Sequence, residues 1–159
     1  MLFSSYIIAL APLSLGMLVG WLSGSGARSQ WYQRLRKPSW NPPAVVFAPV
    51  WSVLYLIMGV ASVPVYEAWR AGAAGSAGAG VALAVYAASL AANLAWTPTF
   101  FAWRRPDVAL GVIAILLPLI GATIVMFMRY TRLWVLLLPY AAWTAFATVL
   151  NAWIVQENL

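Results

Sequence analysis

Five uninterrupted apolar runs, each long enough to cross a bilayer, constrain this chain more than any other feature of it. An α-helix rises about 1.5 Å per residue, so about 20 apolar residues span the hydrocarbon core. The runs cover residues 2–22, 46–69, 78–102, 108–128 and 133–155. Inside lipid every backbone N–H and C=O must be satisfied within the protein, which leaves helices as the expected form of each run. The fold class that follows is an all-α integral membrane protein. It is a five-transmembrane-helix bundle forming one domain over residues 1–159, with a structured first loop capping an internal ligand cavity. Composition agrees: 8% of residues are charged and mean hydropathy is +0.86, against roughly a quarter charged in soluble domains.

The first run has the length of a helix but not the plan of a secretory signal. It lacks a basic start and runs into Trp-rich sequence with no convincing cleavage site, so it is read as a retained span. Prolines at 12, 49, 64, 98, 118 and 139 fall within the runs and predict kinked, closely packed helices.

The chain has no cysteine and no histidine. Disulfides, zinc sites, thiol nucleophiles and imidazole bases are thereby excluded. Glu67, Asp107 and Glu157 stand far apart in sequence, which argues against a carboxylate-pair hydrolase or a carboxylate metal cage, and no metal site is expected. The net charge is +6, but the cations sit between apolar runs and form no solvated stripe. Headgroups or an anionic ligand suit them better than nucleic acid.

With five spans, the first and third loops share a side with the C-terminus. That side holds Arg28, Arg34, Arg36, Lys37, Arg104 and Arg105, against Arg70, Arg129 and Arg132 on the other. The excess places the first loop and the C-terminus in the cytoplasm. Small residues on the third run, Gly80, Ala84 and Ala88 with Ala87 and Ala91, form a candidate face for a homodimer; packing inside the monomer is the competing explanation.

The loop over residues 24–45 contains W-Y-Q-R-L-R-K-P-S-W-N-P-P. Trp31, Tyr32 and Trp40 suit the headgroup level, and Arg34, Arg36 and Lys37 can snorkel, which describes an interfacial anchor. An anchor needs no run as rigid as that around Pro38, Pro42 and Pro43, so a preformed lid over a cavity fits better.

Three helix faces point below this lid. Trp51 and Tyr55 are four residues apart; Asn93, Trp96 and Phe100 share a face, as do Trp143, Ala147 and Leu150. Aromatic stripes usually pack, but Asn93 and Asn151 in hydrocarbon must face the interior or a cavity and find partners. A pocket of rings and amides under a basic lid suits a flat apolar ligand with acidic groups. Porphyrins and sterols are both flat, and only porphyrins would use the cations. Without His or Cys, haem iron would rely on Met or Tyr, so metal-free tetrapyrrole is the more natural guest.

Four segments carry a family resemblance: the Trp31 run, A-P-V-W-S-V-L-Y-L-I-M-G ending at Gly59, N-L-A-W-T-P-T-F-F from Asn93, and L-P-Y-A-A-W-T-A-F-A-T-V-L-N from Leu138. They resemble the TspO/MBR family of tryptophan-rich sensory and translocator proteins. The resemblance implies a commonly dimeric bundle in a bacterial envelope or mitochondrial outer membrane. It also implies a cavity that accepts protoporphyrin IX as ligand or substrate, with no cofactor required. Its matching cavity positions are Trp40, Asn41, Phe47, Trp51, Asn93, Trp96, Trp143, Ala147 and Leu150; Pro42, Pro43, Tyr55 and Phe100 complete the candidate ligand-binding set. Light- and oxygen-dependent porphyrin breakdown is linked to the family, and Trp51 and Trp143 stand at the implicated positions. The sterol-recognition pattern of animal members is incomplete, with Ala152 and Gln156 at its Tyr and cation positions. Val149, Ala152 and Trp153 remain only weak candidates for sterol contact. Val108 replaces a pocket tryptophan of animal members, so affinity for their synthetic ligands is expected to fall.

Overall fold

The computed structural model describes residues 2–25, 29–72 and 74–159, and Arg28, counted above on the lid side, lies outside the described residues. The chain forms α1 (Leu2–Leu22), a short α2 (Gln30–Arg34), α3 (Ala44–Arg70), α4 (Ser76–Thr97), α5 (Pro106–Phe127) and α6 (Leu137–Asn158). A π-helical turn, Pro98–Ala102, extends α4, and a 3₁₀ turn, Arg132–Leu136, leads into α6. Counting these extensions, five helices among the described residues are long and apolar enough to cross a membrane. The second, third and fifth spans reach slightly further than the sequence reading, the fourth starts and ends slightly earlier, and the first keeps its bounds. Pro106 starts α5 because a first-turn proline lacks only an N–H that would have no intrahelical partner, and Pro43 stands just before α3 as its N-cap.

Pro12, Pro49, Pro64 and Pro118 lie inside helices. Pro139 does not disrupt one, since it falls in the first turn of α6. Pro98 has the largest local effect: with its N–H missing, the ladder widens, and the Trp103 N–H reaches back to the Pro98 carbonyl at 2.9 Å.

Helices α3, α4, α5 and α6 close a ring, and α1 lies outside it against α3 and α4. Lipid is as apolar as leucine, so helices associate here through close packing and hydrogen bonds. Small residues make that possible. A Cβ added to Gly59 would run into the backbone carbonyl of Ala9, so this glycine lets α1 lie directly on α3. The main core holds Met58, Ala61 and Val65 of α3, Ala79 and Ala82 of α4, Ile113, Leu116 and Ile120 of α5, and Tyr140 of α6. A second, smaller cluster, Tyr32, Phe100, Ala109, Leu150 and Ile154, sits under the lid.

On α4, Ala84, Ala87, Ala88 and Ala91 face outward, whereas Gly80 is partly covered. A Cβ at Gly80 would press on the Trp69 indole, so this member of the small-residue set serves packing within the monomer.

Candidate functional site

The lid is built by its own side chains. Ser29 caps α2 by accepting the Tyr32 N–H at 3.3 Å. At the other end, Lys37 Nζ donates to the carbonyls of Tyr32, Gln33 and Leu35 and lies 4.8 Å from the centre of the Tyr32 ring. Those carbonyls end a five-residue helix, where a cation is favourably placed. Lys37 was expected at the lipid interface beside Arg34 and Arg36; it is instead the clamp that holds α2 together. Arg34 and Arg36 remain exposed.

Tyr32 turns inward. It is 5% exposed, packs against Phe47, Phe100 and Phe101, and its hydroxyl donates to Asn41 Oδ1 at 3.0 Å. Burial pushes that hydroxyl above its ordinary value of 10.0, with the Asn41 bond acting the other way. Asn41 Nδ2 donates to the Pro42 carbonyl, so its carboxamide organises the loop.

Beneath Tyr32 lies a cavity of about 330 Å³, near the lower end of the range for small-molecule pockets. Its walls come from the second half of α1 (Gly16, Met17, Gly20, Trp21), the lid (Tyr32), and the start of α3 (Phe47, Trp51, Ser52, Tyr55). The end of α4 with its π turn (Trp96, Phe100, Phe101) and α6 (Ala147, Leu150, Asn151, Ile154) close it. The π turn points two consecutive rings, Phe100 and Phe101, into one space and stacks Phe100 on Trp96 with centroids 5.0 Å apart. Trp51 leans on Tyr55 at 5.6 Å.

Several polar groups on these walls are already engaged. Asn151, 1% exposed, accepts the Trp96 indole N–H at 3.0 Å and donates to the Pro106 carbonyl at 2.8 Å, joining α6 to α4 and α5. The Ser52 and Ser25 hydroxyls donate to the Ala48 and Gly20 carbonyls. Among the described residues, no Lys, Arg, Asp or Glu lines the cavity. Such a space holds a guest mainly by ring stacking and dispersion.

Of the residues singled out from sequence, Phe47, Trp51, Tyr55, Trp96, Phe100, Ala147 and Leu150 come together on the cavity wall. Asn93 lies deeper, 3% exposed, accepting the Tyr55 hydroxyl and donating to the Tyr140 hydroxyl at 3.1 Å. Its carboxamide ties three helices together below the cavity and is not on the wall. Trp143 packs between Phe47 and Phe146 and does not line the space. Trp40 is 46% exposed, with its ring edge-on to Phe146, so it covers the outside of the lid. Pro42 and Pro43 form the turn into α3. Val149 and Ala152 face outward from α6, away from the cavity, and Trp153 packs partly buried near Ile154.

The contribution of α1 was missed from sequence. Gly16 makes room for the Tyr55 ring, and Gly20 follows one turn later; the two glycines four apart were the available signal. Phe101 was missed because an ideal helix would have turned it away from Phe100.

A bundle of five apolar spans with an aromatic cavity under a hydrogen-bonded loop defines an all-α integral membrane protein. Residues 8–156 match the TspO/MBR family, and the chain belongs to it. It is 41% identical over 152 residues to the translocator protein of Homo sapiens, covering 94% of this chain and 86% of that protein. It is also 41% identical over 123 residues to the tryptophan-rich sensory protein of Cereibacter sphaeroides, covering 77% and 73%. Protein CrtK of Rhodobacter capsulatus is 33% identical over 151 residues, covering 94% of this chain and 88% of that protein.

Proposed function

We propose that this protein binds protoporphyrin-like tetrapyrroles within the membrane and serves their sensing or disposal. The observation that carries the reading is the division of labour between cavity and lid. Among the described residues the chamber is aromatic and has no charged side chain on its wall, while Arg34 and Arg36 stand exposed on the lid. A macrocycle would lie against Trp51, Trp96 and Phe100, and its acidic groups would remain toward the lid. The absence of His and Cys from the sequence favours a metal-free macrocycle over haem.

The relatives named sensory and translocator proteins agree with a role in handling a small molecule at a membrane. Light- and oxygen-dependent oxidation of the bound macrocycle, with dioxygen as the oxidant, is a further part of the reading, and Trp51, on the wall, is placed better than Trp143 to exchange an electron with the macrocycle. The lid side is assigned to the cytoplasm by its cations. The outward alanines of α4 are assigned to a homodimer; an Ala88→Trp variant that stays dimeric in detergent would count against that.

The test is a titration of the purified protein with protoporphyrin IX in the dark, followed by tryptophan quenching. Saturable quenching that weakens in Trp51→Ala is expected. Absence of quenching, together with saturable sterol binding, would replace this reading with sterol or lipid translocation.

A further inference from the structure

Asn158 occupies the last turn of α6, outside the cavity wall and outside every motif considered above. Its carboxamide pairs with the backbone of Arg36 in both directions. The Arg36 N–H donates to Oδ1 at 2.9 Å, and Nδ2 donates to the Arg36 carbonyl at 3.0 Å. The second Nδ2 hydrogen goes to the Ile154 carbonyl at 2.9 Å. Both donors of the amide are therefore used and its orientation is fixed. Ending a helix does not call for a pair with Arg36; this reciprocal pair is the exchange that two peptide groups make across a β ladder.

We infer that Asn158 is a positioning residue that latches the lid over the cavity, and that release of this pair is the step that opens the chamber. Among the described residues, these two bonds are the hydrogen bonds joining lid to α6. Apolar contacts also hold the lid on the bundle: Trp31 and Tyr32 meet Phe100, Tyr32 meets Phe47 and Phe101, Trp40 meets Phe146, and Leu35 packs on the same cluster. Ring contacts resist separation but fix no register. The lid has its own internal bonds, from Lys37 to three carbonyls and from Tyr32 to Asn41, so it can swing as one piece. Ile154, whose carbonyl anchors the latch, also lines the cavity. A guest and the latch thus share one turn of α6.

The ligand half of this inference rests on the tetrapyrrole reading; the lid half does not. Asn158→Leu keeps the shape of the side chain and removes its hydrogen bonds. In the full-length protein in lipid nanodiscs, amide exchange at residues 35–40 without ligand is expected to accelerate about tenfold, given two neutral bonds of modest net strength. Release of protoporphyrin IX is expected to accelerate by a similar factor while the thermal midpoint stays put. Unchanged lid exchange would overturn the latch. Faster lid exchange with unchanged porphyrin release would equally overturn its role as gate, and a fall in thermal midpoint matching the exchange would reduce Asn158 to a structural residue. If the wild type takes up no protoporphyrin IX, the tetrapyrrole reading fails by itself and the amide exchange decides the latch.

Discussion

The two halves of the bundle are made from the same helices and behave differently. Away from the lid, Met58, Ala61, Val65, Ala79, Ala82 and Phe127 have no exposed surface, and the helices meet through small residues. Toward the lid, Trp51, Trp96, Phe100 and Phe101 hold the helices apart around a cavity. Alanine and glycine let backbones approach until dispersion contacts saturate; large rings braced on one another keep a space open. Between the halves lies the chain Tyr55, Asn93, Tyr140, which closes the floor with hydrogen bonds. The solid half should therefore govern stability, and the hollow half binding.

The most damaging single change is expected in the solid half. Gly59→Val drives a branched side chain into the Ala9 carbonyl, and overpacking of this kind costs about 3 kcal/mol. Thermal unfolding in detergent should show the loss; a midpoint near wild type would mean that α1 shifts freely and is no fixed wall. The floor comes next. Asn93→Leu leaves the Tyr55 and Tyr140 hydroxyls buried without their partner, an expected cost of about 2 kcal/mol. Adding Tyr55→Phe and Tyr140→Phe should recover much of that loss, because removing all the polar partners together is far milder than orphaning some. Failure of the triple variant to recover would show that the network sets geometry as well as satisfying donors.

Binding should separate two tryptophans that sequence alone treats alike. Trp51→Ala is expected to weaken protoporphyrin affinity about tenfold, since it removes a large ring from the wall. Trp143→Phe is expected to change affinity less than about twofold and to leave stability level or slightly raised, because the Trp143 indole N–H is buried with no hydrogen-bond partner among the described residues. A reversed order would put the guest against α6 instead of α3.

The smallest effect is a pH dependence of the lid. Tyr32 has its hydroxyl pKa raised above 10.0 by burial, so its neutral form is favoured in the closed lid. That contribution is complete below the unfolded value and is lost as pH rises through the folded one. Lid amide exchange should accelerate above pH 10, the ordinary value, and Tyr32→Phe should remove that part of the alkaline response.

Sequence alone determined the five spans and their order, the position of the lid, and which rings share one face of a helix on α3, α4 and α6. A bilayer admits few alternatives to an apolar helix, and 3.6-residue spacing groups side chains on a face. It did not decide which face looks inward, because lipid is as apolar as a protein core and hydropathy marks no inside. That is why Trp143 and Trp51 looked equivalent, and why the outward Val149 and the inward Leu150 carry no difference in polarity. Tertiary packing made those choices. The π turn after Pro98 brought Phe101 to the wall, and Gly16 admitted Tyr55 beneath α1. Lys37 was drawn from the interface to the end of α2, and Asn158 was brought to a loop residue more than a hundred positions away. Each depends on a partner distant in the chain or on a local break in helical period, and neither is written in the spacing of one segment.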